Sequence, residues 1–162
     1  MARANRQLIW ALKKTAARLK QGVTYQWGHL GACNCGHLAQ TLTDRSKREI
    51  HEAALARVGD WGEVSEKYCE TSGMAIDSII SEMLSAGLAL EDIEHLENLD
   101  DPKVLKALSL PGGRRYLKHN NREDLVLYLE AWAGILETEL PIEPQPEPTE
   151  GLAEPLGDSK VA

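Results

Sequence analysis

The chain has 162 residues, a formal net charge of −7 and three cysteines, with 43% hydrophobic residues and no phenylalanine. That length supports one domain with a real core. The acidity argues against nucleic acid as the main partner, since phosphate binding needs a concentrated positive footprint. No apolar run is long enough to make an integral membrane protein. An odd, small number of cysteines makes no disulfide framework and fits the reducing cytoplasm. Leu, Ala and Ile outweigh Val, Thr and the aromatics, which favours helices over sheets. The charge is unevenly placed: residues 1–43 hold six Lys/Arg and no acid, whereas residues 44–162 hold twelve Lys/Arg against twenty-five Asp/Glu.

Leu8, Ile9, Leu12, Ala16 and Leu19 recur at three and four residues, which predicts an amphipathic helix over 3–20 stopped at Gly22. Its other face is basic, with Arg6, Lys13, Lys14, Arg18 and Lys20. Residues 22–34 have loop composition with Tyr25 and Trp27 as aromatic anchors. Asn34 is placed to cap a short helix over 35–43 that turns Leu38, Ala39 and Leu42 inward. Ser46 and Glu49 form a capping box for a helix to Val58, and Asp60 opens another with Trp61, Val64, Tyr68 and Cys69 on one side. A stripe of Ile76, Ile79, Ile80, Met83 and Leu84 ends at Gly87, with Leu88 set for the apolar contact of a glycine cap. Two short helices follow, the second with Pro102 in its first turn. Asn121 starts the most regular stripe, Leu125, Tyr128, Leu129, Trp132, Ala133 and Leu136, expected to be a central helix. The predicted fold is all-α, a compact bundle of six to eight helices over 1–140. Residues 141–162, with five of the seven prolines and many carboxylates, read as a disordered acidic tail.

Core packing alone does not explain His29-Leu30-Gly31-Ala32-Cys33-Asn34-Cys35-Gly36-His37. Thiolates and imidazoles are zinc ligands, so His29, Cys33, Cys35 and the distant Cys69 make a candidate closed site. His37 points away from Cys35 on a helix, so completing a site falls to Cys69 or His51. A second reading is nucleophilic. Cys35 in a first helical turn meets free amides and the positive end of the dipole, which favours thiolate. Gly31-Ala32-Cys33-Asn34-Cys35-Gly36 resembles the glycine–cysteine lead to the nucleophile helix of papain-like hydrolases, implying a hydrolase or transferase with Cys35 as catalytic nucleophile. The resemblance covers those six residues, and the β-rich lobe that supplies His and Asn in that family has no counterpart. A base would come from His51, His95 or His119. The third reading is a glycine-rich plug at one end of a bundle, with both thiols simply buried.

Tyr25, Trp27 and Asn34 are the ligand-binding candidates within this stretch. A second cluster, Gly112-Gly113-Arg114-Arg115, suits anion recognition through Arg114 and Arg115. The function expected is a ligand or metal site at Trp27–His37. The alternative is a protein-interaction module that uses the basic first helix, the acidic tail or a groove between helices.

Overall fold

The computed structural model describes residues 1–56, 61, 63, 75–108 and 116–141. Seven helices and no strand occur among them: α1 (Arg6–Lys20), α2 (Asn34–Thr43), α3 (Lys47–Leu55), α4 (Ala75–Ser85), α5 (Leu90–Asn98), α6 (Pro102–Ala107) and α7 (Arg122–Glu139). The all-α expectation holds. No described helix is long and apolar enough to cross a membrane.

Local signals set the helix ends. The Asn5 side chain accepts from the Leu8 N–H at 2.9 Å, so α1 starts at Arg6, three residues later than its periodicity suggests. The α3 capping box closes both ways: Ser46 accepts from the Glu49 N–H at 3.3 Å and its own N–H donates to Glu49 Oε2 at 2.8 Å. α4 ends as expected at Gly87 (φ +113), with the Leu88 N–H reaching the Met83 carbonyl at 3.3 Å and the Leu88 side chain buried. Pro102 occupies the first turn of α6, where Asp101 accepts from the Lys103 N–H at 2.7 Å. Asn121 caps α7 through the Asp124 N–H at 2.9 Å.

The two longest helices, α1 and α7, pair along their lengths, with Lys13 on Glu137 and Lys20 on Glu130 at the solvent edge. The pairing is antiparallel, since the partner number falls as the residue number rises. Leu8, Leu12 and Leu19 meet Leu125, Leu129, Trp132 and Leu136 in one buried cluster. Each such leucine contributes about 2 kcal/mol relative to exposure.

The hub, however, is the ten-residue α2, which packs on α1, α3, α4 and α5. The longest helix packs chiefly on α1 and α6. The reason lies in composition. Asn34, Cys35, Gly36, His37, Leu38 and Ala39 are six consecutive buried residues, and small side chains there let neighbours approach from every side.

Candidate functional site

The loop leading into α2 is folded on itself by its own backbone. The Gln26 N–H donates to the Ala32 carbonyl at 3.0 Å, the His29 N–H to Gln26 at 3.2 Å, and the Ala32 N–H to His29 at 2.7 Å. Two glycines allow this compactness. A Cβ on Gly31 would lie 1.8 Å from the Lys47 carbonyl oxygen, and one on Gly36 would lie 2.4 Å from that of Leu30. The loop thus seats directly on the start of α3 and on α2, with no room for a methyl group.

Cys33, not Asn34, is the N-cap residue, and it provides no side-chain hydrogen bond to the helix amides. Asn34 is the first helical residue, and its fully buried carboxamide ties three segments together. Its Nδ2 donates to the Glu97 carbonyl at 2.8 Å and the His119 carbonyl at 2.9 Å, and its Oδ1 accepts from the Tyr25 hydroxyl at 2.9 Å. The cap is lost because those partners lie at the end of α5 and in the 116–121 loop, beyond anything sequence spacing reveals. Burial pushes the Tyr25 hydroxyl up from its ordinary range. Tyr25 and Asn34 are therefore brought together, with their polar atoms turned to each other and to backbone.

Both described thiols are buried, and neither is in a disulfide. Cys35 is 0% exposed and donates to the Ile93 carbonyl at 3.2 Å. Cys33 faces the Leu30 carbonyl at 3.6 Å, and burial pushes its thiol up to about 11. The Leu30 carbonyl also accepts from the Trp61 indole at 3.0 Å. Cys69, Arg114 and Arg115 lie outside the described residues.

His29 is paired with His51 rather than with a cysteine. Their rings stack at 3.8 Å between centroids. His29 Nδ1 accepts from the Gly31 N–H at 3.2 Å and His51 Nδ1 from the Leu30 N–H at 3.1 Å. An N–H donor at each Nδ1 fixes the neutral tautomer with its proton on Nε2. Burial, then the neighbouring His51, holds His29 below the ordinary histidine range. As arranged, the accessible ring nitrogens are donors, and a metal would take a lone pair from His29 only at the expense of the Gly31 bond. Among the described residues, no three His, Cys, Asp or Glu side chains converge on a point where an ion could sit.

His37, read from the sequence as pointing away from Cys35, is 2% exposed, with Nε2 at 3.1 Å from the Thr24 carbonyl and Nδ1 without a partner. It lies parallel to the Tyr25 ring, 6.1 Å between centroids. Burial, followed by the field of Arg18, lowers it to about 4, so it is neutral at pH 7.

Trp27 is the part of the segment that faces out. It is 39% exposed, 4.7 Å from the His119 ring, at the mouth of a hollow of about 150 Å³ lined by Gly28, Leu30, Cys33 and Glu97. Reading the sequence placed Arg18 on the basic face of the first helix but missed Gln40 and Thr41, with which it forms a polar network on the other side of α2. For Gln40 the signal was present in the helical spacing that sets it opposite Leu38 and Leu42.

No protein-family model matches the chain, and comparison with characterised proteins and with solved structures gives no significant match.

Proposed function

We propose that the chain is a cytoplasmic helical binding module whose Trp27–His37 segment is a rigid docking face, with its thiols and imidazoles serving as packing. One observation carries the reading: a half-exposed tryptophan stands beside a hollow the size of a single aliphatic side chain, on a loop folded on itself by its own backbone hydrogen bonds. The hollow is small for a drug-sized ligand, for which about 300 Å³ is a lower bound. It suits a protein partner that inserts one Leu- or Ile-like side chain against the indole, the arrangement of an interface hot spot. Full burial of Cys35, and a Cys33 thiol that lines the hollow but is raised to about 11 and so stays protonated, support binding over nucleophilic chemistry, because a catalytic thiol must meet its substrate as thiolate.

The test follows the Trp27 indole N–H resonance, assigned with Trp27→Phe, while N-acetyl-leucine amide and then leucine-containing helical peptides are titrated. Saturable shifts at Trp27 and Cys33, lost in Trp27→Ala at unchanged melting temperature, are expected. Shifts absent at Trp27, or unchanged at Cys33 and Leu30 in Trp27→Ala, would refute the reading.

A further inference from the structure

Arg18 lies half buried on α1, where its Nη1 donates to Thr41 Oγ1 at 3.0 Å and its Nη2 to Gln40 Oε1 at 2.9 Å. Both acceptors are neutral and both are themselves held. The Gln40 amide donates to the Gly31 carbonyl at 2.6 Å, and the Thr41 hydroxyl lies 3.3 Å from the His37 carbonyl and 2.7 Å from Thr15 Oγ1. Elsewhere cations find carboxylates: Lys13 holds Glu137, Lys20 holds Glu130 and Arg45 holds Glu82. Among the described residues, no carboxylate pairs with Arg18. Lys14, one turn before it, contacts the Trp10 ring face at 4.4 Å and likewise pairs with no described carboxylate. A partly desolvated guanidinium in a chain this acidic would ordinarily recruit one.

Lys14, Arg18, Thr41, Asp44, Arg45 and Ser46 line a cleft of about 360 Å³ between α1 and the α2–α3 junction. We propose that this cleft binds a small phosphate monoester carried on a polyol or sugar. The guanidinium has five donors and spends two on Gln40 and Thr41, which leaves a fixed fork for phosphate oxygens. Lys14 adds a second positive charge from the same helix, while the Ser46 hydroxyl proton goes to Glu49 and the Thr41 hydroxyl is held by Thr15, His37 and Arg18. Asp44, held at φ +54 in the cleft wall, opposes a bare polyanion but accepts from a hydroxyl on the ligand's carbon skeleton. Arg45, already on Glu82, contributes little net charge. A cleft of this volume lies within the range of small-molecule sites.

Calorimetric titration of the full chain at about 0.15 M ionic strength tests this, with ribose 5-phosphate, inorganic phosphate, ribose and sulfate as probes. Saturable binding of ribose 5-phosphate, weaker binding of inorganic phosphate and none of ribose are expected. Arg18→Gln should weaken ribose 5-phosphate roughly tenfold or more. Because Arg18→Gln also removes bonds to Gln40 and Thr41, Lys14→Gln, an exposed change, provides the second arm, with a several-fold loss expected at unchanged melting temperature. No saturable binding of ribose 5-phosphate overturns the proposal, as does affinity unaltered in both variants. Ribose 5-phosphate binding no tighter than sulfate or inorganic phosphate also overturns it, since Asp44 would then meet no hydroxyl.

Discussion

Asn34 donates to the Glu97 carbonyl at 2.8 Å, so the first residue of α2 holds the last turn of α5 through a bond that spans 63 residues of sequence. With His119 and Tyr25 as further partners, one carboxamide closes the end of the bundle around the Trp27–His37 segment. Removing it takes away the bonds to two carbonyls and to the Tyr25 hydroxyl, of which the hydroxyl and the His119 carbonyl retain each other at 3.1 Å. Asn34→Ala is therefore expected to destabilise the fold by about 3 kcal/mol. Asn34→Asp should do no better, since a carboxylate would face two carbonyl oxygens. Urea unfolding measures both, and a loss below about 1 kcal/mol for the alanine variant would show that water replaces the network.

Acid should loosen the same end of the molecule. His37 titrates near 4 in the fold against about 6.5 when unfolded, so the unfolded chain binds the proton first. Its contribution is fully present above pH 6.5 and is lost as pH falls toward 4, at a slope of about 1.4 kcal/mol per pH unit. His29, also lowered, adds in the same direction. Desolvation pulls His95 down, but the Asp100 carboxylate at 2.7 Å lifts it overall, so it titrates the opposite way. It is over a third exposed and screened by solvent, so its effect is small. His37→Gln retains a donor for the Thr24 carbonyl and should flatten the acid limb of stability between pH 6.5 and 4. An acid limb of the same slope in wild type and variant would assign it to other groups.

Two glycine substitutions should differ in sign. Gly36→Ala gains helix propensity yet drives a methyl to 2.4 Å from the Leu30 carbonyl oxygen, and it is expected to cost more than about 2 kcal/mol. Gly134→Ala, in α7 with nothing within 4 Å of the new Cβ, should stabilise by about 0.5–1 kcal/mol. Thermal melting of both reads the comparison. Equal shifts would mean that the loop yields easily and is not the rigid element described.

Much of this fold was legible because its signals are local. The Ser46–Glu49 box, the Gly87–Leu88 cap and the stripe from Leu125 to Leu136 each lie within a few turns of helix, where spacing fixes which side chains meet. The position of α2 was not legible in that way. A helix buried on all sides by Gly, Ala and Cys has little apolar periodicity, so it reads as minor beside α7, although it contacts four helices. The candidate site divides along the same line. Tyr25, Trp27, Asn34 and the two cysteines were found by composition, but their partners, Glu97, His119 and Ile93, come from distant segments. Asn34 looked like a cap because capping is the nearest use for an asparagine before a helix, and tertiary bonds outcompeted it.

If the Trp27–His37 segment is a closed, neutral framework that presents Trp27, its two thiols are inert in the folded protein. Native protein is alkylated over time at pH 8 with and without chelator, and Cys33 and Cys35 are read separately by peptide mass mapping. Cys35, with no exposed surface, and Cys33, raised by burial to about 11, should both label slowly, at rates that chelator leaves unchanged and that rise together on unfolding in urea. Rapid labelling of Cys35 in the folded protein, or labelling of either thiol released by chelator, would contradict the account and return the segment to thiol or metal chemistry.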